Sequence, residues 1–259
     1  MRPLVLAYHG VADVPRELDP YGLMLPADTL REQIGLLRGR GYELVHQAEF
    51  ARRLHAGQSL DGVCSLTFDD GTVDYHSVLW PLLRELQAPA TFFVCPGLLG
   101  KPYPFLEPGA DVRFMTHAEL LEVAADPLVE IGSHTREHVK LGRASGQQVY
   151  DELVACKADL EDMLGVAVPS FAFPNCEYSP DAPAAAERAG HTNAVTCAGN
   201  GGLTPYELAR ESPSPIDGRL TLELRLRGWY HGVRASPPAR LARWAARPIR
   251  HRHSKPSGG

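Results

Sequence analysis

A chain of 259 residues, 44% hydrophobic and 22% charged, has the composition of an ordinary folded protein and enough length to bury a large core. That mix excludes a disordered or fibrous chain, and no apolar run approaches the roughly 20 residues of a membrane-spanning helix. The formal net charge of −5 is uneven: seven basic and no acidic residues lie from Arg234 onward, which leaves −12 on the body (−5 less 7) and argues against nucleic acid as its partner.

The first expected element is a strand, Leu4 to Ala7, ending at Tyr8-His9-Gly10. Its apolar run is shorter than the about 7 to 15 residues of an export-signal core, so a cytoplasmic chain is expected. Five cysteines, an odd number with no CxxC pair, read as reduced packing residues and favour the same compartment. Pro26-Ala27-Asp28 opens a helix with Leu30, Ile34 and Leu37 at helical spacing, followed by a brief strand at Tyr42 to Val45 and a short helix at Ala48 to His55.

Val63 to Phe68 is a buried strand running into Asp69-Asp70-Gly71. Tyr75 to Leu86 reads as a helix that tolerates Pro81, and Ala90 to Val94 as a strand. Residues 98 to 114, with prolines at 102, 104 and 108, form a long irregular loop of the kind that carries function. Thr116 caps a helix to Ala125, and Val129 to Gly132 is a strand leading to His134-Thr135-Arg136-Glu137-His138. Ser145 to Leu164 is the longest helix, stopped by Gly165. Strands at Ser170 to Phe173, Thr192 to Thr196 and Leu208 to Arg210 alternate with helices at Pro183 to Ala189 and Leu220 to Leu226. About seven strand-and-helix pairs result, an α/β single domain near a closed barrel.

In such a barrel, ligand-handling residues sit at the carboxyl ends of the strands. His9, Asp69, Asp70, His134, Pro174, Asn175 and Arg210 all fall there. Either half of the pattern alone has an ordinary explanation: Asp-Asp-Gly is common turn chemistry, and a His-x-x-x-His pair is often structural. Together, two imidazoles brought to one point by a helical turn, plus one carboxylate, make a metal-ligand set with open positions for water. The spare carboxylate, Asp69, is then a general base.

Thr67-Phe68-Asp69-Asp70-Gly71 and His134 to His138 resemble the first two motifs of the polysaccharide deacetylases, the carbohydrate esterase group built on the NodB homology domain. The opening Ala7-Tyr8-His9-Gly10 and Phe171-Ala172-Phe173-Pro174 are similar to further family segments, so the likeness spans most of the chain. It implies a distorted (β/α)7-type barrel over residues 1–233, with 234–259 as a basic tail. It also implies Asp69 as catalytic base, Asp70, His134 and His138 as ligands of one divalent ion, and the backbone amide of Asn175 as an oxyanion donor. The substrate would be an N-acetylated carbohydrate cleaved to a free amine and acetate: an intracellular glycoside, a sugar nucleotide or a lipid-linked saccharide. Zinc is the expected ion, with cobalt, nickel and iron also suited to these ligands.

The chain departs from the family in two places. Asn175-Cys176 stands where the third motif continues Tyr-Gly, and the late Leu-x-His motif that supplies the acid is not found cleanly, Leu208-Ala209-Arg210 being more similar to a subgroup with an Arg there. His191, His231 and His9 are the nearby histidines, each read as structural ahead of catalytic, so the proton for the leaving group is unassigned, and Asp69 could itself return it. Pro174, Arg210 and His9 are expected at the substrate. A nucleophilic Cys176 ranks below an inert, packed one. Two other functions stay open: an O-acetyl esterase or other amide hydrolase on the same scaffold, and a catalytically impaired carbohydrate-binding relative.

The tail also has two readings. Leu241, Trp244, Ala245 and Ile249 interleave with Arg240, Arg243 and Arg247, as in an amphipathic helix making peripheral contact with an anionic membrane; the alternative is a solvated terminus, disordered beyond. The oligomeric state is not legible.

Overall fold

The chain alternates buried strands with amphipathic helices, and each strand cannot meet the next in parallel without a crossover; the outcome is an all-parallel sheet rolled toward closure. A computed structural model describes residues 1–197, 201–215, 217 and 219–235. In chain order the elements are β1 (Leu4–Tyr8), α1 (Ala27–Gly39), β2 (Glu43–Val45), α2 (Gln47–His55), β3 (Val63–Asp70), α3 (Trp80–Leu86), β4 (Ala90–Val94), α4 (His117–Ala124), β5 (Val129–Ser133), α5 (Gly146–Leu164), β6 (Ser170–Ala172), α6 (Ala182–Arg188), β7 (Asn193–Cys197) and β8 (Leu208–Arg210).

The strand order is β1-β3-β4-β5-β6-β7-β8, every pairing parallel. The ring is drawn shut where Ala7 N–H donates to the Glu211 carbonyl at 2.8 Å and Glu211 N–H to that of Val5 at 2.9 Å. Short β2 pairs with the first half of β3, along the edge that β4 takes further on. This is the distorted seven-strand barrel expected from the sequence.

Strand alternation sends every second side chain inward. Val5, Val63, Phe93, Ala172, Val195 and Leu208, from six strands, meet in one cluster with Phe50 of α2, which is fully buried. Below them the amino ends of the strands carry a hydrogen-bonded polar layer. Ser170 donates to Glu130 at 2.7 Å, Asn193 to Ser170 at 3.0 Å, and Gln47 to Asn193 at 3.2 Å. Helix α2 lies across that end, its first N–H groups, Gln47 and Ala48, donating to Thr91 and Glu130. Those donors have no partner within their own helix, and no side chain of the preceding loop caps them, so the sheet supplies the cap and the helix stoppers the barrel.

Helices α4 and α5 are bounded by local sequence signals. Thr116 and Ser145 each form a capping box, with Glu119 and Gln148, and Gly165 closes α5 at φ 67°. The expected helix from Tyr75 is a π-helical turn, Tyr75–Leu79, continuing into α3, and Pro81 sits at the start of the α-helical part, where its missing N–H costs little.

Two expectations are corrected here. Cys176 and Cys197 are joined in a disulfide with Cα atoms 5.7 Å apart, whereas Cys64, Cys95 and Cys156 are buried free thiols. The pair is 21 residues apart in sequence, but parallel β6 and β7 place Ala172 beside Val195 and carry both cysteines to the same rim. The reduced-cysteine argument for an intracellular chain therefore loses two of its five residues, and Cys176 is not a nucleophile. In addition, His134 and His138 are not on a helix: they lie in the loop after β5, which folds back through left-handed backbone at Thr135 (φ 62°) and His138 (φ 55°).

Residues Met1–Asp217 form one compact unit and Gly218–Gly259 a second. The described part of the second contains α7 (Arg219–Leu226) and α8 (Tyr230–Ala235), with the Arg225 guanidinium over the Tyr230 ring at 3.5 Å. The amphipathic reading of 238–249 lies outside the described residues. Among those described, no helix is long and apolar enough to cross a membrane.

Candidate active site

The carboxyl ends of the strands open on a cleft of about 540 Å³. His9 follows β1, Asp69 and Asp70 close β3, His134 and His138 follow β5, Asn175 and Cys176 follow β6, and Arg210 ends β8; all of them line it. Pro174 is buried under the turn that presents Asn175. All the sequence-predicted residues except Pro174 therefore line one mouth.

Two adjacent strand residues normally face opposite sides of a sheet. Asp69 follows that rule and points inward. Asp70 joins it in the cleft because its backbone is left-handed, φ 84°, followed by Gly71 at φ 86°. The burial of Tyr75, whose hydroxyl donates to the Asp69 carbonyl, holds this bend from below.

Asp70 Oδ1 lies 3.5 Å from His134 Nε2 and 3.4 Å from His138 Nε2. One ligand atom from each of the three residues falls within 4.8 Å of the others, a spacing that one ion could fill. Asp70 Oδ1 is buried with no hydrogen-bond partner, while Oδ2 accepts from the Tyr103 hydroxyl at 2.5 Å. A lone carboxylate oxygen facing two imidazole nitrogens fits a cation better than it fits an empty pocket. His134 Nδ1 is 2.8 Å from the Ala172 carbonyl, which can only accept, so the proton sits on Nδ1 and the Nε2 lone pair is turned to the site. Burial pushes the His134 imidazole down to about 4, which keeps it neutral and able to ligate near neutrality.

The second carboxylate is held differently. Asp69 accepts a two-pronged grip from Arg210, 2.7 Å at each oxygen, and the same guanidinium donates to Thr67 Oγ1 at 3.1 Å. Burial alone would raise the Asp69 carboxyl; the Arg210 guanidinium, helped by His134 and His9, outweighs it and holds the group well below the usual carboxylate range. Asp69 is thus ionised at any ordinary pH. Both residues are buried, Arg210 at 1% and Asp69 at 4% exposure, so the pair is shielded from screening by salt.

Of the three histidines near the motifs, His9 lines the cleft, His191 is buried beside Phe171 and 3.4 Å from the Ser133 hydroxyl, and His231 belongs to the second unit. Tyr21, Leu23, Phe105, Phe173 and Lys140 are also among its walls. Sequence reasoning missed Tyr103 and Phe105, although aromatic residues spaced by proline within the long 98–114 loop were a readable signal.

A family model described as polysaccharide deacetylase matches residues 56–194. Among curated proteins the chain is 24% identical over 193 residues to YxkH of Bacillus subtilis (strain 168), whose own polysaccharide deacetylase assignment is provisional, covering 74% of this chain and 63% of that one. It is 30% identical over 138 residues to the poly-beta-1,6-N-acetyl-D-glucosamine N-deacetylase of Escherichia coli (strain K12), covering 51% of this chain. The matched segments thus span 63% and 20% of those relatives' lengths. The fold is similar to that of the Streptococcus pyogenes deacetylase PplD in complex with acetate, with TM-score 0.72, 23% identity and coverage of 88% and 97% of the two chains. It is likewise similar to IcaB from Ammonifex degensii, with TM-score 0.71, 20% identity and coverage of 88% and 96%.

Proposed function

The chain belongs to the polysaccharide deacetylase family, and from that premise we propose that it is a metal-dependent N-deacetylase that hydrolyses the acetamide of an N-acetylated sugar to a free amine and acetate. The observation that carries this reading is the unpartnered Asp70 Oδ1 between two imidazole nitrogens, next to a separately held carboxylate in the same cleft. The matched E. coli relative, named for N-acetyl-glucosamine deacetylation, supports the substrate class.

Asp70, His134 and His138 would hold the ion, zinc by preference. When bound, it would supply Lewis acidity, sharpening both a water and the acetamide carbonyl for reaction. Asp69, ionised and fixed by Arg210, takes the proton from the attacking water. A carboxylate held this far below the usual range is a weak base, so it serves well only where that water has been made acidic. The Asn175 N–H is presented at the rim by a turn with left-handed φ at both Asn175 (53°) and Cys176 (56°), and its role is to donate to the developing oxyanion. The nearby Cys176–Cys197 bond restrains that turn.

Protonation of the leaving amine falls to His9, which among the described residues is the cleft histidine outside the ligand set. A His9→Gln protein is expected to keep its zinc and lose about 10²-fold or more in kcat. An unchanged rate would instead assign that proton to Asp69.

The reading as a whole is tested by incubating zinc-loaded protein with N-acetylglucosamine oligomers and with O-acetyl sugars, then measuring acetate. Acetate from the N-acetyl substrates is expected, abolished by a chelator and restored by zinc. Release from O-acetyl sugars alone would make the protein an esterase, and release from neither would overturn the proposal.

A further inference from the structure

The loop from 98 to 114 is tied to the strand end that bears the two carboxylates. Met115 N–H donates to the Gly71 carbonyl at 2.9 Å, Val73 N–H to that of Arg113 at 2.8 Å, and Thr72 bridges to Phe114. Within it, Phe114 N–H donates to Lys101 and Tyr103 N–H to Val112, both at 2.9 Å, so its two arms pair with each other. The loop presents three aromatic rings. Tyr103 packs edge-on against Phe105 and Phe114, at 5.3 Å in both cases, and Phe105 packs edge-on against the His138 imidazole at 5.0 Å.

Tyr103 is 5% exposed and lies in an apolar cluster with Met24 and Phe114. Packing there calls for a ring and not for a hydroxyl, and a buried hydroxyl is costly unless it finds a partner. The Tyr103 hydroxyl finds Asp70 Oδ2 at 2.5 Å. A carboxylate rotates readily about its last torsion, and a single donor on one oxygen removes that freedom. With Oδ2 engaged, Oδ1 is the oxygen left facing the imidazoles, and it is the one with no partner of its own.

We propose that this loop is a clamp on the metal site, in which Tyr103 is a positioning residue that fixes the Asp70 carboxylate and Phe105 backs the His138 ring. The assignment rests on the reading of Asp70, His134 and His138 as ligands. It explains why a proline-rich connection of this length is folded onto the barrel mouth, and it makes metal affinity, rather than the chemical step, the property that the loop controls.

The test measures the zinc dissociation constant of the metal-stripped full chain by competition with a chromogenic chelator. Tyr103→Phe keeps the ring but strips the buried Asp70 carboxylate of its donor, so its metal-free melting temperature should fall modestly while zinc binding weakens about 10- to 100-fold. Its kcat should recover at saturating zinc. Phe114→Leu disturbs the same aromatic packing without touching the hydroxyl, and it should lower the melting temperature while leaving the zinc constant unchanged. Wild-type zinc affinity in Tyr103→Phe, or an equal loss in both variants, would overturn the role of Tyr103 while leaving the metal site standing. A wild-type chain that takes up no divalent ion would overturn the metal reading and the clamp with it.

Discussion

An Asp69→Asn protein should bind zinc as the wild type does and release acetate about 10²- to 10⁴-fold more slowly. The carboxamide fills the same space but cannot take a proton from water. The change also removes the negative partner of a guanidinium that is 1% exposed, leaving Arg210 buried and uncompensated. Breaking such a pair from one side costs about 3 to 5 kcal/mol of folding stability. Three measurements on one preparation separate the effects: zinc content, the melting temperature and the rate of acetate release. A variant that retains its zinc and more than about a tenth of the wild-type rate would remove Asp69 from the reaction.

Replacing Arg210 with Met should be nearly as damaging, by a different route and with a dependence on pH. In the wild type the folded-state Asp69 carboxyl is depressed, so its contribution to stability is present above the ordinary carboxylate range and is lost only as strong acid protonates it. Without the guanidinium, burial governs, and the carboxyl shifts upward. The variant then carries a penalty at neutral pH, about 3 to 5 kcal/mol if the charge persists, which lessens as acid neutralises the group. Urea melts of both proteins at pH 7 and near pH 4 should therefore show a gap that narrows in acid. The acid limb of the rate profile should move toward higher pH, because a larger fraction of Asp69 is protonated and unable to act. A stability gap independent of pH would show that Arg210 matters through packing, for instance through its contact with the Phe93 ring at 5.7 Å, and not through Asp69.

The barrel and the site were legible in the sequence to different depths. Buried strands and capped helices announce themselves locally: Thr116 with Glu119 and Ser145 with Gln148 are capping boxes in the letters alone. The two motifs also placed Asp69, Asp70, His134 and His138 at strand ends, which was enough to bring them together. What stayed hidden was geometry that no local pattern encodes. The histidines converge through left-handed backbone at Thr135 and His138, neither of them glycine, so nothing in the residue types contradicted a helix. The disulfide depends on β6 lying beside β7, which only closure of the sheet establishes. The partnership of Arg210 with Asp69 spans 141 positions and likewise exists only once the ring is drawn shut.

Gln47 and Phe50 of α2 pack the amino end of the barrel, so among the described residues the two carboxylates and two imidazoles of the cleft are presented at the opposite, carboxyl rim. Under the proposed reaction, acetate and amine would both depart over that rim, and a bulky saccharide would need to reach the cleft with no more than its acetamide.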